Sequence, residues 1–480
     1  MNAVPTGIAP ALFTREIGSF AIDSREVQAG GVFFALSQPD YKNNGFNGDF
    51  DDATVFVENA FGNGAMVCIV RSDRYDEHKA TLETFRDRLV LVDDTIEAFQ
   101  ALAHGVYSAW NRPVVAITGS AGKTTAKELS AHVLSHGKRK VLKNIKNYNN
   151  GLGLPLTVLT LAQDDSYDTA VLEMGMSTPM NEIARLCRIT PPDVSVVLNV
   201  LPVHVEHLGS IENVAKAKAE IVEGMKTGGT AVLNADDERV AAMAQLSRGE
   251  VLTFGIENAA DIMADSIEPQ GFGGSIFEIK TPAGSASVNF PLGGRHNIMN
   301  ALAAATVGFS FSMSAEQIAE ALTDVEAPPQ RGEVLRFKHG FTVIDDSYNS
   351  NPDALISMVG TLATGRKDAK RLIVVAGEML ELGDNAAEIH FVTGKKLAAM
   401  NIDVLIGVRG LGKNLIHGAR EGGIASAEFS SDSSAAGELL CSIVSEGDAV
   451  LVKGSRGVKT ELVIEKLLEK FELEEKGLAG

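Results

Sequence analysis

A buried-strand run, VVAIT at 114–118, leads straight into GSAGKTT at 119–125 and then into a stretch with helical spacing. No other feature constrains the fold as strongly. In a strand–loop–helix of this kind, loop N–H groups and the free N–H groups of the first helical turn converge on one point, which seats an anion. Lys123 would reach the outer phosphates of a nucleoside triphosphate, and the Thr124 hydroxyl would ligate Mg2+. The phosphate cradle is therefore read as Gly119, Ser120, Ala121, Gly122, Lys123, Thr124 and Thr125. The general phosphate-loop pattern has a glycine five residues before the second glycine; here that position is Ile117, so the loop is compact.

A buried strand needs neighbours. TAVLEMG (169–175), VSVVLNV (194–200) and TAVLNAD (230–236) are β-type runs separated by helical patterns, as a parallel sheet with crossover helices requires. Residues 270–292 read as a β-hairpin insertion, and HNIMNALAAATVG (296–308) as a helix rich in small residues. Two prolines within 327–333 interrupt the helical pattern. Beyond them FTVID (341–345), RLIVVAG (371–377), VLIGV (404–408) and AVLVKG (449–454) alternate with helices again, predicting a second doubly wound, Rossmann-like unit. Before Pro113, GVFFAL (31–36) and MVCIV (66–70) flank a loop at 41–52, which reads as a small α/β unit. At roughly 100–200 residues per domain, 480 residues make three α/β domains, placed at 1–111, 112–326 and 327–480.

The formal net charge of −19 repels nucleic acid and anionic membranes, so neither is an expected partner. Cys68, Cys187 and Cys441 are too few and too scattered for a zinc site or a disulfide framework. The start MNAVPTGIAPALFTREIG is not expected to act as a signal peptide, and no apolar run of 18 residues occurs in the sequence. These features predict a cytoplasmic chain without membrane insertion, taken as a monomer.

Ligands of open α/β sheets bind beyond the carboxyl ends of the strands. Glu173 stands at such a position, and His204 lies just beyond the next strand. Asn297 and Asn300, at i and i+3, share a helix face. Ile211, Val214, Lys218, Ile221 and Met225, spaced 3, 4, 3 and 4, form one stripe turned toward the core, whereas Lys216 points elsewhere. An inward lysine loses hydration, which favours its neutral amine, and a neutral amine beside Mg2+ can take up CO2 as a carbamate.

These runs, together with NYNNGLGLP (147–155), EMGMS (173–177), HVEHLGS (204–210), AKAEI (217–221), GRHNIMNAL (294–302), QRGE (330–333), DDSYNSNP (345–352), GEMLELG (377–383) and KGSR (453–456), resemble the Mur ligase family, in family order from about residue 22 to 460. The resemblance implies an N-terminal UDP-sugar domain, a central ATP-binding domain and a C-terminal ligase domain. It implies ATP-driven amide formation through an acyl phosphate, with Lys123, Glu173, His204 and Lys218 catalytic. Two Mg2+ ions would be held by Thr124, Glu173, His204 and a carbamoylated Lys218. Asn297, Asn300, Arg331 and Asp346 would join the loop around ATP, while Ser24, Arg25, Asn147, Asn149, Tyr348, Asn349, Lys453 and Ser455 would meet the other substrates. DDSYNSNP and GEMLELG resemble the members that take D-alanyl-D-alanine, so the implied partners are that dipeptide and a UDP-N-acetylmuramoyl-tripeptide. Another Mur-type ligase or a folate polyglutamate synthetase is the alternative. A nucleotide-switch ATPase leaves the metal-site residues unexplained, and a non-catalytic UDP-sugar binder leaves Lys123 and Lys218 without a task. The sequence departs from the family at Asn47-Gly48-Asp49-Phe50, which stands for the usual DGHxF and follows an inserted Lys42-Asn43-Asn44-Gly45.

Overall fold

The computed structural model describes residues 9, 12, 14–46, 51–145, 147–176, 181–201 and 209–474. His204 and the 47–50 run lie outside the described residues, as do parts of the 173–177 and 204–210 motifs. The described chain forms three sheets in succession; one apolar cluster joins the first and central sheets, and others lie within the first, central and C-terminal units.

The first sheet is parallel, in the order β1 (Phe20–Ala21), β2 (Gly31–Phe34), β3 (Ala65–Arg71), β4 (Leu89–Val92). The helix Gln38–Asn43 takes in the first three residues of the loop expected over 41–52. Pro39 and Asp40 in its first turn favour a start there, and tertiary contacts secure it. Asp40 is fully buried, accepts from Thr95 N at 2.7 Å and from Thr95 Oγ1 at 2.6 Å, and pairs with Arg71. Partners 31 and 55 residues away hold the segment against the sheet. The connection to the next unit is the helix Thr95–Trp110, started by Asp94, whose carboxylate accepts from Ile96 N and Glu97 N at 2.8 Å.

The central sheet has nine strands in the order β13-β12-β11-β10-β9-β8-β5-β7-β6. Its strands are β5 (Val114–Thr118), β6 (Val141–Lys143), β7 (Thr169–Glu173), β8 (Val194–Val197), β9 (Thr230–Asn234), β10 (Glu250–Gly255), β11 (Ile262–Pro269), β12 (Ser275–Thr281) and β13 (Gly284–Phe290). The expected parallel pairing holds from β6 through to β11, and the expected hairpin forms one edge. β11, β12 and β13 pair antiparallel, so the 270–292 hairpin extends the sheet. β12 and β13 are joined through Pro282 and Ala283 alone, and a two-residue connection can only join antiparallel strands. The helices Lys123–His136 and Arg295–Ser310 pack on each other over one face; a Cβ at Gly308 would lie 2.8 Å from Val133 Cγ1, so the small residue sets their spacing.

The third sheet has six strands, β14 (Glu333–Arg336), β15 (Thr342–Asp346), β16 (Arg371–Gly377), β17 (Val404–Val408), β18 (Ser426–Ser430) and β19 (Asp448–Lys453), ordered β14-β15-β19-β16-β17-β18. Only β14 is antiparallel. β19 enters between β15 and β16, so the loops after Asp346, Gly377 and Lys453 lie side by side at one end of the sheet. That end faces the central unit. The turn Gly293-Gly294 abuts the helix Pro352–Thr364: a Cβ at Gly294 would lie 2.5 Å from Thr361 Oγ1, and one at Gly293 2.9 Å from Thr361 Cγ2. Among the described residues no helix is long and apolar enough to cross a membrane.

Candidate active site

β5 delivers the phosphate loop, and the neighbouring strand end shapes it. Asn199, just past β8, accepts from Ala121 N through Oδ1 at 2.9 Å and donates to Ala121 O through Nδ2 at 3.1 Å, while its carbonyl takes Ser120 N at 3.1 Å. This side-chain clasp fixes the loop's turn, and sequence reasoning assigned it no task. Gly122 is left-handed at φ +84°, and a Cβ there would lie 2.4 Å from Asn300 Oδ1. Gly119 lies beneath the loop, its carbonyl accepting from Lys123 Nζ at 2.7 Å. Burial holds the Lys123 ammonium below the usual lysine range, Glu173 opposes that effect, and the Arg331 charge adds to it.

Glu173 ends β7 in a buried position. Its Oε2 accepts from Thr124 Oγ1 at 2.7 Å and its Oε1 from Asn149 Nδ2 at 2.7 Å. The backbone beneath is held by Asn144, which accepts from Glu173 N at 2.9 Å and donates to Glu173 O at 2.9 Å and Tyr148 O at 3.0 Å. Asn144 is a support the sequence did not reveal. Its partner lies 29 residues on, so no local spacing could signal it.

Lys218 sits in the helix Ile211–Glu223 and is 2% exposed. The stripe holds: Val214 and Ile221 are buried beside it, Ile211 is half-buried, Met225 is buried just beyond the helix end, and Lys216 is exposed. Burial places its amine well below the ordinary lysine range, and the Lys123 charge pushes in the same direction. Among the described residues no carboxylate pairs with it.

A cleft of about 500 Å³ between the central and C-terminal sheets gathers most of the expected residues. From the central side come the loop residues Ser120 to Thr125, with Asn147, Asn149, Glu173, Asn297 and Asn300; from the C-terminal side come Arg331, Asp346, Tyr348, Asn349 and Lys453. Asn297 and Asn300 are each 5% exposed, so their shared helix face is turned away from solvent. The Arg331 guanidinium lies 4.0 Å from the Tyr348 ring centroid. Asp346 and Lys453 form an ion pair, and Lys453 also donates to Asn349 O at 2.9 Å. Burial raises the carboxyl of adjacent Asp345 to about 6.

Three expected residues are placed elsewhere. Ser24 is buried in the N-terminal unit, where its carbonyl accepts from Asn63 Nδ2 at 2.9 Å, and Arg25 is exposed and paired with Asp23. The Ser455 hydroxyl donates to Ser350 O at 3.2 Å and accepts from Leu380 N at 3.0 Å, pinning together the loops after β15, β16 and β19. A cleft residue that the sequence reading passed over is His296. Its Nδ1 lies 3.0 Å from Ser357 Oγ of the C-terminal unit. Burial lowers its pKa to about 4, against the Asp346 charge and with that of Lys453. It stood inside the GRHNIMN run, but only the neighbour across the cleft gives it meaning.

The donors at the phosphate end suit a hard divalent cation: the Thr124 hydroxyl and the Glu173 carboxylate are oxygen ligands of the kind Mg2+ takes. No cluster of three or more His, Cys, Asp or Glu occurs among the described residues, so a full metal shell must draw on phosphate oxygens, water or residues outside that set.

The family described as Mur ligase middle domain matches residues 117–308, and that described as Mur ligase, glutamate ligase domain matches 330–456. The UDP-N-acetylmuramoyl-tripeptide–D-alanyl-D-alanine ligase of Escherichia coli K12 is 34% identical over 452 residues, covering 93% of each chain. The crystal structure of MurF from Acinetobacter baumannii superposes with a TM-score of 0.82 at 27% identity, covering 95% of this chain and 94% of that one. MurF ligase from Thermotoga maritima, solved in complex with ADP, gives a TM-score of 0.79 at 28% identity, covering 96% and 99%.

Proposed function

The chain belongs to the Mur ligase family, and on that premise we propose that it joins D-alanyl-D-alanine to a UDP-N-acetylmuramoyl-tripeptide, with ATP becoming ADP and phosphate. The product is the UDP-muramoyl-pentapeptide of peptidoglycan synthesis. The observation that carries this reading is the cleft itself. It sets Lys123, Thr124 and Glu173 of the central unit opposite Arg331, Asp346 and Lys453 of the C-terminal unit.

A free carboxylate does not condense with an amine until its oxygen becomes a good leaving group. The tripeptide carboxylate attacks the γ-phosphorus of ATP, ADP departs, and an acyl phosphate remains. The dipeptide amine then attacks the acyl carbon, phosphate leaves, and the amine proton passes to solvent or phosphate. Phosphoryl transfer needs positioning and charge neutralisation more than covalent help. The loop N–H groups, Lys123 and Arg331 supply both, with Arg331 suited to bidentate contact with phosphate. Asn297 and Asn300 offer donors and acceptors to the adenine, and Asp346 takes a ribose hydroxyl or a neighbouring group. Thr124 and Glu173 would hold Mg2+, with His204 and Lys218 completing two sites, and the metal would supply neutralisation of phosphate charge. Burial favours the neutral Lys218 amine, the form that takes up CO2, and a carbamate there would turn a repelling cation into an oxygen ligand.

Asn147 and Asn149 face the peptide arm, and Ser24 and Arg25 the UDP end. Tyr348, Asn349 and Lys453 face the dipeptide, and Ser455 supports their loops. The C-terminal unit over the cleft excludes water, which would otherwise hydrolyse the acyl phosphate. We take 1–111, 112–326 and 327–480 as the domain limits, and the enzyme as a cytoplasmic monomer. The test is phosphate release with both substrates present. Release must depend jointly on UDP-muramoyl-tripeptide and D-alanyl-D-alanine; release without the dipeptide at the full rate would end the proposal.

A further inference from the structure

A second chamber opens from the cleft, and the two share Thr124, Asn147, Arg331 and Tyr348. Thr124 adjoins the phosphate loop and Glu173. The chamber therefore begins where the acyl phosphate is formed. Its volume of about 1510 Å³ is ample for a dipeptide, and one wall is Arg456, from the loop after β19.

The incoming dipeptide must put its amine at the acyl carbon. Two extended residues then carry its carboxylate roughly 7 Å away. A carboxylate entering a chain of net charge −19 needs a local cation. The chamber offers four. Lys127 donates to Asn144 O at 3.0 Å and lies 3.0 Å from Glu128 Oε1. Lys143 pairs with the other oxygen of Glu128. Arg331 lies against Tyr348 and also borders the nucleotide side. Arg456 remains. One of its N–H groups is held by Glu461 Oε1 at 2.9 Å, and its guanidinium lies 5.5 Å from the Tyr348 ring centroid. The side chain is nevertheless 59% exposed. A guanidinium oriented by one carboxylate and one ring, with donors left over, is suited to take a second carboxylate.

We infer that Arg456 is the receptor for the terminal carboxylate of the incoming dipeptide, and that the mouth of this chamber is that substrate's site. The inference rests on the proposed ligase reaction and adds a specificity-determining residue to it. It also gives a task to the last residue of KGSR, which the ATP site does not use.

Steady-state kinetics with D-alanyl-D-alanine and its C-terminal amide test it. The wild-type enzyme is expected to show a KM for the amide about 10- to 100-fold higher, the loss of one charge-assisted contact. Arg456→Gln should raise KM for the dipeptide by a similar factor and leave KM for ATP and for the UDP-tripeptide within about twofold. It should no longer distinguish dipeptide from amide. A variant that still discriminates as strongly as wild type overturns the assignment, and so does an equal rise in all three KM values. Arg456 is largely exposed but pairs with the mostly buried Glu461, so a small fall in thermal midpoint is expected, and the selective rise in KM for the dipeptide separates binding from stability. Absence of wild-type turnover with D-alanyl-D-alanine would overturn the reaction itself, and this inference with it.

Discussion

Thr124 donates its hydroxyl to Glu173 Oε2 across 2.7 Å, tying the first turn after the phosphate loop to the carboxyl end of the adjacent strand. The other oxygen of Glu173 accepts from Asn149 at 2.7 Å. Glu173→Gln keeps the shape and can keep both contacts, since the Thr124 hydroxyl can accept from its NH2, but it removes the charge offered to Mg2+. We expect kcat to fall at least about 100-fold, as for loss of one preorganised electrostatic group. The Mg2+ concentration for half-maximal rate should rise at least about tenfold. An Mg2+ curve that superposes on wild type would remove Glu173 from the metal site.

Gly122→Ala tests the loop's geometry. A left-handed alanine costs roughly 1–2 kcal/mol, and its Cβ would lie 2.4 Å from Asn300 Oδ1. Thermal stability should fall, and nucleotide affinity more than about tenfold once the cradle shifts. The clash has a named partner, so the effects should not add: Gly122→Ala with Asn300→Ala should cost less stability than the two single changes summed. Additive losses would show that backbone strain alone is responsible.

Lys218→Ala should fold with some loss of stability, since it leaves a cavity but strands no carboxylate among the described residues, and ligation should be nearly abolished. Acetate or formate should restore part of the activity by replacing the carbamate. Full activity without added acid would refute the role. An unmodified amine in a high-resolution map with bicarbonate present would refute the chemistry.

Lys218 shows how much the sequence could say. Period-3.6 spacing placed it among apolar residues of one helix, and the helix indeed buries it. The phosphate loop was equally legible, because strand, glycines and helix are contiguous. What escaped depends on partners distant in the chain. The helix at 38–43 is fixed by Thr95 and Arg71, Glu173 is supported by Asn144, and the clasp on Ala121 comes from Asn199. The brace made by Ser455 needs the strand order, which puts β19 between its neighbours. A motif marks such residues without distinguishing those that touch substrate from those that hold the loops.

His296 should make the contact between the central and C-terminal units sensitive to acid. It stands between the units, 3.0 Å from Ser357, with its pKa lowered to about 4 from an ordinary 6.5. In an open form the ring meets water and regains the ordinary value. The closed form thus binds the proton less well, and falling pH favours opening. The contribution to closure is fully present above pH 6.5 and is lost progressively as pH drops toward 4. Turnover is a poor readout, because the proposed carbamate on Lys218 would also be acid-labile. Solution scattering with nucleotide and UDP-tripeptide saturating avoids that difficulty. The compact form present at pH 7.5 should give way to a larger radius of gyration between about pH 6 and 5. His296→Gln keeps a polar partner for Ser357 but does not titrate, so its compaction should depend less on pH over that window. An equally steep loss in the variant would assign the acid sensitivity to other groups.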